Sequence, residues 1–173
     1  DDVAAGSWYY DDVAFVFGKG LMVGTGGGHF APALAATRGM VVRTLYSMEN
    51  EPDVTGACPF ADVASGSYCE GAVTWAAANG IVYGISSTEF APNANISRQD
   101  MAVMLYQYTQ RYNVALQQQT VTPFTDESSI SAYALPAVQA LHRAGVISGM
   151  PDGSFQPYGT ATREQACTML CML

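Results

Sequence analysis

The feature that most constrains this chain is that it repeats itself. Phe30-Ala31-Pro32 followed by Thr37-Arg38, Phe90-Ala91-Pro92 followed by Ser97-Arg98, and Phe155-Gln156-Pro157 followed by Thr162-Arg163 share one spacing. Before each run stands a glycine pair: Gly20 and Gly24, Gly80 and Gly84, Gly145 and Gly149. Earlier still comes an aromatic, Trp8, Tyr68 or Tyr133. Asp2-Val3 and Asp62-Val63 open the first two copies. Phe124-Thr125-Asp126 opens the third one residue out of step, so the loop before Tyr133 has one extra residue. A unit of this size cannot bury its own apolar face, so three copies must share a core.

Each copy reads as helix, loop, helix. Val13, Val16, Phe17 and Leu21 recur near the helical period, as do Val73, Ala76, Ala77 and Ile81, then Val138, Leu141 and Val146. Pro136 falls in a first turn, where a missing N–H is harmless. Gly20, Gly80 and Gly145 suit the left-handed position that ends a helix. Thr37, Ser97 and Thr162 suit an N-cap, with side-chain oxygens for an orphan backbone N–H. The buried face of the second helix is predicted at Val41, Leu45 and Met48, at Met101, Leu105 and Tyr108, and at Ala166, Leu170 and Leu173. The expected fold is all-α: three helix-loop-helix repeats at residues 1–50, 58–112 and 122–173, packed as one compact unit around a pseudo-three-fold axis. Segments 50–59 and 113–123, rich in Pro, Thr, Gln and Asn, read as linkers.

Composition removes several function classes. Seven basic residues against 15 acidic ones give a net charge of −8 over 173 residues, which argues against phosphate neutralisation and hence nucleic-acid binding. No apolar run approaches the ~18 residues of a membrane span, and no signal peptide is visible. The chain opens abruptly and stops in an apolar stretch, so it reads as a piece of something longer. No cofactor or metal pattern stands out. None of the four cysteines forms a Cys-x-x-Cys pair. Asp11-Asp12 and Glu49/Glu51 have no counterparts in the other repeats and read as solvated surface. His29 and His142 are single, and no Gly-Lys-Ser/Thr follows the glycines at 24–28. With no catalytic site visible, the segment reads as a non-enzyme.

The repeat resembles the S-layer homology family. Its pattern runs Phe-x-Asp-Val, a helix-opening aromatic, Gly-Ile-x-x-Gly, Phe-x-Pro, then a Thr-Arg-Ala-Glu box. The second repeat carries Phe60-Ala61-Asp62-Val63, Gly80-Ile81-Val82-Tyr83-Gly84, Phe90-Ala91-Pro92 and Ser97-Arg98-Gln99-Asp100. The third carries Gly145-Val146-Ile147-Ser148-Gly149, Asp152-Gly153-Ser154-Phe155 and Thr162-Arg163-Glu164-Gln165, and the first lacks the leading Phe. The resemblance implies an extracellular, cell-wall module that anchors a longer host protein. Its implied ligand is a secondary cell-wall polysaccharide carrying pyruvate, or in some lineages a polyamine-modified, peptidoglycan-linked glycan. By position it also implies ligand contacts from Arg38, Arg98 and Arg163, from Gly24, Gly84 and Gly149, and from Trp8, Tyr68 and Tyr133, in grooves between neighbouring repeats. The box departs from the pattern at Gly39-Met40, Gln99-Asp100 and Glu164-Gln165.

The residues support more than one role. An arginine after an N-cap opposes the helix dipole, at a cost of about 0.3–1 kcal/mol. A helix N-terminus offers N–H groups to an anion, and a guanidinium adds a bidentate fork for a carboxylate. That reading makes three small carboxylate sites, and it expects the core to survive loss of an arginine. The competing reading pairs each arginine with Asp2, Asp62 or Asp126. Thr162 with Gln165 and Ser97 with Asp100 suit capping boxes. Trp8, Tyr68 and Tyr133 suit either a core staple or a face for a sugar. Gly26, Gly27, Gly28 and Met40 all lie in repeat one, and place the weakest groove beside Arg38. Cys58 and Cys69 are either bridged, in an oxidising exterior, or two thiols; Cys167 and Cys171 read as buried small residues. Two function classes remain: a carbohydrate-binding anchor, and a structural module of a surface layer whose grooves are closed.

Overall fold

A computed structural model describes residues 2–173, and all statements of absence below refer to those residues. Six α-helices are present: α1 Tyr10–Gly18, α2 Arg38–Met48, α3 Glu70–Ala78, α4 Arg98–Tyr112, α5 Leu135–Arg143 and α6 Arg163–Cys171. A single 3-10 turn covers Glu127–Ser129, and no β-strand occurs. The fold is all-α, with two helices per repeat. The second helices start where the caps predicted. Thr37, Ser97 and Thr162 accept the backbone N–H of Met40, Asp100 and Gln165, and Thr162 with Gln165 completes a reciprocal capping box. Gly20, Gly80 and Gly145 end the first helices at φ of 69°, 69° and 75°, a region costly for a residue with a Cβ.

Sequence equivalence says nothing about which helices pair, and the pairing runs between repeats. α3 packs on α2, α5 on α4, and α1 returns to pack on α6. The first helix of each repeat therefore lies on the second helix of the repeat before it, and the ring closes from repeat one onto repeat three. Trp75 on α3 meets the Tyr46 ring on α2 at 5.4 Å. Asp12 on α1 accepts from Thr168 of α6 at 2.7 Å. Glu49 accepts from the buried Tyr108 hydroxyl, so Asp12 and Glu49, expected as solvated surface, are ties within the fold.

The ring is sealed at its centre by backbone. Ala36 N–H donates to Ala161 O at 2.9 Å, Ala161 N–H to Ile96 O at 3.0 Å, and Ile96 N–H to Ala36 O at 2.9 Å. These three equivalent residues are almost wholly buried, so the triangle satisfies donors that would otherwise be costly. It marks the pseudo-three-fold axis. Around it Val41, Leu45, Leu105, Ile81, Leu141 and Leu170 form one continuous core. Phe17, expected on the buried face of α1, is instead 57% exposed.

Candidate functional site

Each Phe-x-Pro turn is held by the aspartate that opens its own repeat. The Asp2 carboxylate accepts the N–H of Phe30 at 2.7 Å and of Ala31 at 2.6 Å. Asp62 does the same for Phe90 and Ala91 at 2.8 and 2.6 Å, and Asp126 for Phe155 and Gln156 at 2.7 and 2.8 Å. These bonds hold Ala31, Ala91 and Gln156 at positive φ of 54°, 57° and 56°, where residues with a Cβ are strained. Hydrogen bonds from the Phe30 N–H, and from Ala31 against the opposing effect of burial, bring the Asp2 carboxyl below its ordinary range. For Asp62 burial pushes upward, and the Phe90 and Ala91 N–H groups outweigh it.

The turn fixed in this way presents its Phe carbonyl to an arginine of the preceding repeat. Arg38 donates from Nε to Phe90 O at 2.8 Å and from Nη2 to Tyr83 O at 3.2 Å. Arg98 donates to Phe155 O at 2.7 Å and Ser148 O at 3.2 Å. Arg163 donates to Phe30 O at 2.9 Å and Val23 O at 2.7 Å. Each guanidinium also lies over the matching Phe ring, 4.7, 5.0 and 4.5 Å from its centroid. All three side chains are buried, and burial draws their pKa values downward. The arginines are therefore pins between repeats. They do not pair with Asp2, Asp62 or Asp126; the aspartate holds the turn and the turn holds the arginine.

This corrects two expectations. The helix N-termini are not open to an anion. The N–H groups of Arg38 and Gly39 donate to Ala94 O and Pro92 O, those of Arg98 and Gln99 to Gly159 O and Pro157 O, and those of Arg163 and Glu164 to Leu34 O and Pro32 O. The third N–H in each case belongs to the cap. Nor is the full guanidinium fork free. Nε and Nη2 are committed to carbonyls, so removal of an arginine strips buried acceptors of their donors.

Each arginine also lines a groove, and Nη1 is the guanidinium nitrogen that makes no bond to a backbone carbonyl. The Arg38 groove, about 450 Å³, is walled by Tyr83, Gly84 and Asp100 of repeat two and Tyr133 of repeat three. The Arg98 groove, about 330 Å³, is walled by Gly149, Met150 and Gln165 of repeat three and Trp8 of repeat one. The Arg163 groove, about 470 Å³, is walled by Gly24, Met40 and Arg43 of repeat one and Tyr68 of repeat two. Every groove thus takes its arginine, its glycine loop and its aromatic from three different repeats. All nine residues named from the sequence line these grooves, in a grouping that differs from the expected one. The Gly24–Gly28 loop and Met40 belong to the Arg163 groove, not to the Arg38 groove.

The grooves share a plan and differ in chemistry. In the Arg38 groove the Tyr133 hydroxyl donates to Asp100 at 2.7 Å, and burial with that bond pushes its phenol up to about 12. Asp100 also receives the Ser97 hydroxyl at 2.7 Å, so it serves both cap and groove. In the Arg98 groove Gln165 stands in place of the acid, inside its capping box. In the Arg163 groove Met40 stands there, and its sulfur takes Nη1 of Arg163 at 3.7 Å. Nη1 of Arg38 and of Arg98 has no such protein partner, and every fully buried side-chain nitrogen or oxygen is satisfied, so both of those nitrogens reach solvent. Trp8, Tyr68 and Tyr133 are 64%, 55% and 60% exposed and lie ahead of the helices, not within them; they are groove walls, not core staples. The Tyr68 hydroxyl stands against α2, where a Cβ on Gly39 would lie 2.7 Å from it.

The loop glycines serve close approach. A Cβ on Gly24 would meet His29 O at 2.6 Å, on Gly84 the Phe60 ring at 2.6 Å, and on Gly149 the Phe124 ring at 3.0 Å. The four cysteines are free thiols. The bridge weighed for Cys58 and Cys69 is not formed; Cys69 is buried, with its sulfur near Ser67 Oγ and turned toward Gly39 of α2. Cys167 is buried, and burial pushes its thiol up to about 12. No group of three or more His, Cys, Asp or Glu gathers as metal ligands, and no helix is long and apolar enough to cross a membrane.

Comparison with known proteins agrees with this threefold build. The chain is 32% identical to an endoglucanase of Bacillus sp. strain KSM-635, over 99% of its own length and 18% of the enzyme's. It is 27% identical to an amylopullulanase of Thermoanaerobacterium thermosulfurigenes, over 95% of the chain and 9% of that protein. A surface-layer 125 kDa protein of Lysinibacillus sphaericus is 36% identical over 60% of the chain and 9% of its own length. The chain thus spans less than a fifth of each of these relatives. The S-layer homology domain matches residues 1–39, 59–102 and 123–167. With that threefold match, the chain belongs to the S-layer homology domain family, as a cell-surface anchoring module.

Proposed function

We propose that this module holds a longer host protein to the cell wall by lodging an acidic sugar of a wall polysaccharide, carrying a carboxylate such as ketal-linked pyruvate, in the grooves between repeats. The observation that carries the reading is the convergence of an arginine nitrogen, a tight loop and an exposed aromatic ring from three repeats in each groove. A carboxylate suits Nη1, and charge-assisted bonds of this kind are worth about 1.5–3 kcal/mol. An aromatic face suits the C–H face of a pyranose. The protein is net negative, so long-range electrostatics oppose an acidic polymer and the affinity must come from local contacts.

Among the three, the Arg98 groove is the best fit. Its Nη1 reaches solvent, its box position carries neutral Gln165 in place of an acid, and Trp8 offers the largest ring. The Arg38 groove places Asp100 where a carboxylate would sit. The Arg163 groove has its nitrogen taken by Met40. Calorimetry with a pyruvylated disaccharide, comparing Trp8→Ala with the parent, tests the reading. Trp8 is exposed and outside the helices, so the variant folds as the parent does; binding weakened tenfold or more supports the Arg98 groove, and unchanged binding refutes it. A second reading, a structural module of a surface layer with no sugar site, draws on the commitment of two nitrogens of every arginine to the fold. It predicts no sedimentation of the isolated module with polysaccharide-bearing walls.

A further inference from the structure

The Arg38 groove differs from its sisters at three matched positions. Asp100 lines it where Met40 and Gln165 line the Arg163 and Arg98 grooves, Tyr83 where those have Val23 and Ser148, and Val103 where those have Arg43 and Thr168. The groove therefore has two tyrosine walls, Tyr83 and Tyr133, both largely exposed, and it holds an arginine and an acid together. Arg38 and Asp100 do not meet. The ion pairs of the described residues are His29 with Asp2 and Arg43 with Glu51. Other bonds hold the two charges apart. Arg38 is fixed by the Phe90 and Tyr83 carbonyls. Asp100 takes the Tyr133 hydroxyl on Oδ1 and the Ser97 hydroxyl on Oδ2, each at 2.7 Å. Tyr133 is fixed in turn, since its oxygen accepts Nε2 of buried Gln99 at 3.1 Å, and Gln99 is tied to Ser131 through both ends of its amide.

We infer that the Arg38 groove binds an uncharged sugar unit through neighbouring hydroxyls, one donating to Asp100 and the next accepting from Nη1 of Arg38. A bound anion would face Asp100, and a bound amine would face Arg38. The balanced groove instead favours a neutral group that sets a donor beside an acceptor, as adjacent hydroxyls of a pyranose do. Each Asp100 oxygen keeps a lone pair after its bond to a side-chain hydroxyl, and bonds to a charged partner are the stronger ones open to a neutral sugar. The two tyrosine rings and Val103 offer apolar surface to the sugar's C–H face. Tyr133 is already ordered, so little freedom is lost on binding, and about 450 Å³ is ordinary for a small-molecule site. The inference rests on the reading that the grooves take wall sugars. It gives this groove a ligand class different from the carboxylate assigned to the Arg98 groove.

The test is a titration with a methyl mannopyranoside, uncharged and with adjacent hydroxyls, beside its 4,6-pyruvylated form. NMR at the methionine methyls locates binding, because Met104 lines the Arg38 groove and Met150 the Arg98 groove. The neutral glycoside should shift Met104 saturably, with a dissociation constant of about 1 mM, and the pyruvylated form should be at least tenfold weaker at Met104. Tyr83→Ala removes an exposed ring and keeps the carbonyl that holds Arg38; it should weaken the neutral glycoside about three- to tenfold. Asp100→Asn should weaken it by a similar factor and strengthen the pyruvylated form at Met104. No saturable Met104 shift with the neutral glycoside, affinity unchanged in both variants, or a pyruvylated form that binds there as well as the neutral one overturns the inference. A pyruvylated form that leaves Met150 unmoved, while the neutral glycoside shifts Met104, refutes the carboxylate reading of the Arg98 groove and supports this one.

Discussion

The Arg98 and Arg163 grooves are built to one plan and are chemically unlike. Both pins donate from Nε to a Phe carbonyl and from Nη2 to a loop carbonyl. The difference lies three residues beyond the cap. Gln165 turns back to complete a capping box and leaves Nη1 of Arg98 free of protein. Met40 reaches over and takes Nη1 of Arg163. Repetition is therefore strict where a residue closes the ring and loose where it faces the groove, and that contrast separates the work of the fold from the work of recognition.

The largest effect expected is on the shared part. Arg98→Ala or Arg163→Ala strips two carbonyls of a charged donor and should cost about 3–5 kcal/mol, a fall in Tm of roughly 10 °C. Thermal unfolding followed by circular dichroism checks this. A melt unchanged in both variants would break the assignment of the arginines as pins. Arg→Lys should recover only part of the loss, since an ammonium cannot reach two carbonyls as a rigid fork does.

Acid should come next. The Asp2 and Asp62 carboxyls titrate lower in the folded chain than in the unfolded one. Their contribution is thus present above the ordinary carboxylate pKa of about 4 and lost as pH falls through the lower folded value. Melts between pH 7 and pH 2 should show stability declining in the acid limb, and Asp62→Asn should flatten that limb. An identical acid limb in the variant would show that the clamp is not the titrating element.

The groove comparison itself is sharpened by a swap. Met40→Gln should release Nη1 of Arg163 and improve binding of a pyruvylated disaccharide there by up to about tenfold, while Gln165→Met should weaken the Arg98 groove by a similar factor. Calorimetry on both variants reads the pair; equal affinities throughout would dissolve the distinction between the grooves. The smallest change concerns thiols. Alkylation of the denatured, unreduced protein should label all four cysteines by intact mass, and two labels would place a bridge in the protein.

Much of this was legible in the sequence because the signals are local. The caps at Thr37, Ser97 and Thr162 and the helix-ending glycines at 20, 80 and 145 depend on neighbours a few residues away, and all stand where the spacing put them. Phe17 was misread for the same reason. Helical periodicity places it on the inner face of α1, but burial depends on rings from outside the helix, and Phe17, edge-on to Phe30 at 6.5 Å, stays 57% exposed. The anion site at the helix N-termini failed because its donors are taken by carbonyls from other repeats, such as Pro92 for Gly39, a separation no local pattern encodes.

The sequence by itself determined the count of repeats, their equivalence, the helix ends and the nine residues worth attention. Spacing establishes that Arg38, Arg98 and Arg163 are alike, because like positions in like units adopt like backbones. Only the tertiary structure decided whom they touch. Three equivalent units can close in more than one order, and that order is set by which helix face receives the next repeat and by three central hydrogen bonds among Ala36, Ile96 and Ala161. The closure puts Trp8 beside Arg98, Tyr133 beside Arg38 and Tyr68 beside Arg163. Each groove is consequently a property of the closed ring, since a single repeat contributes one wall of every site and completes none.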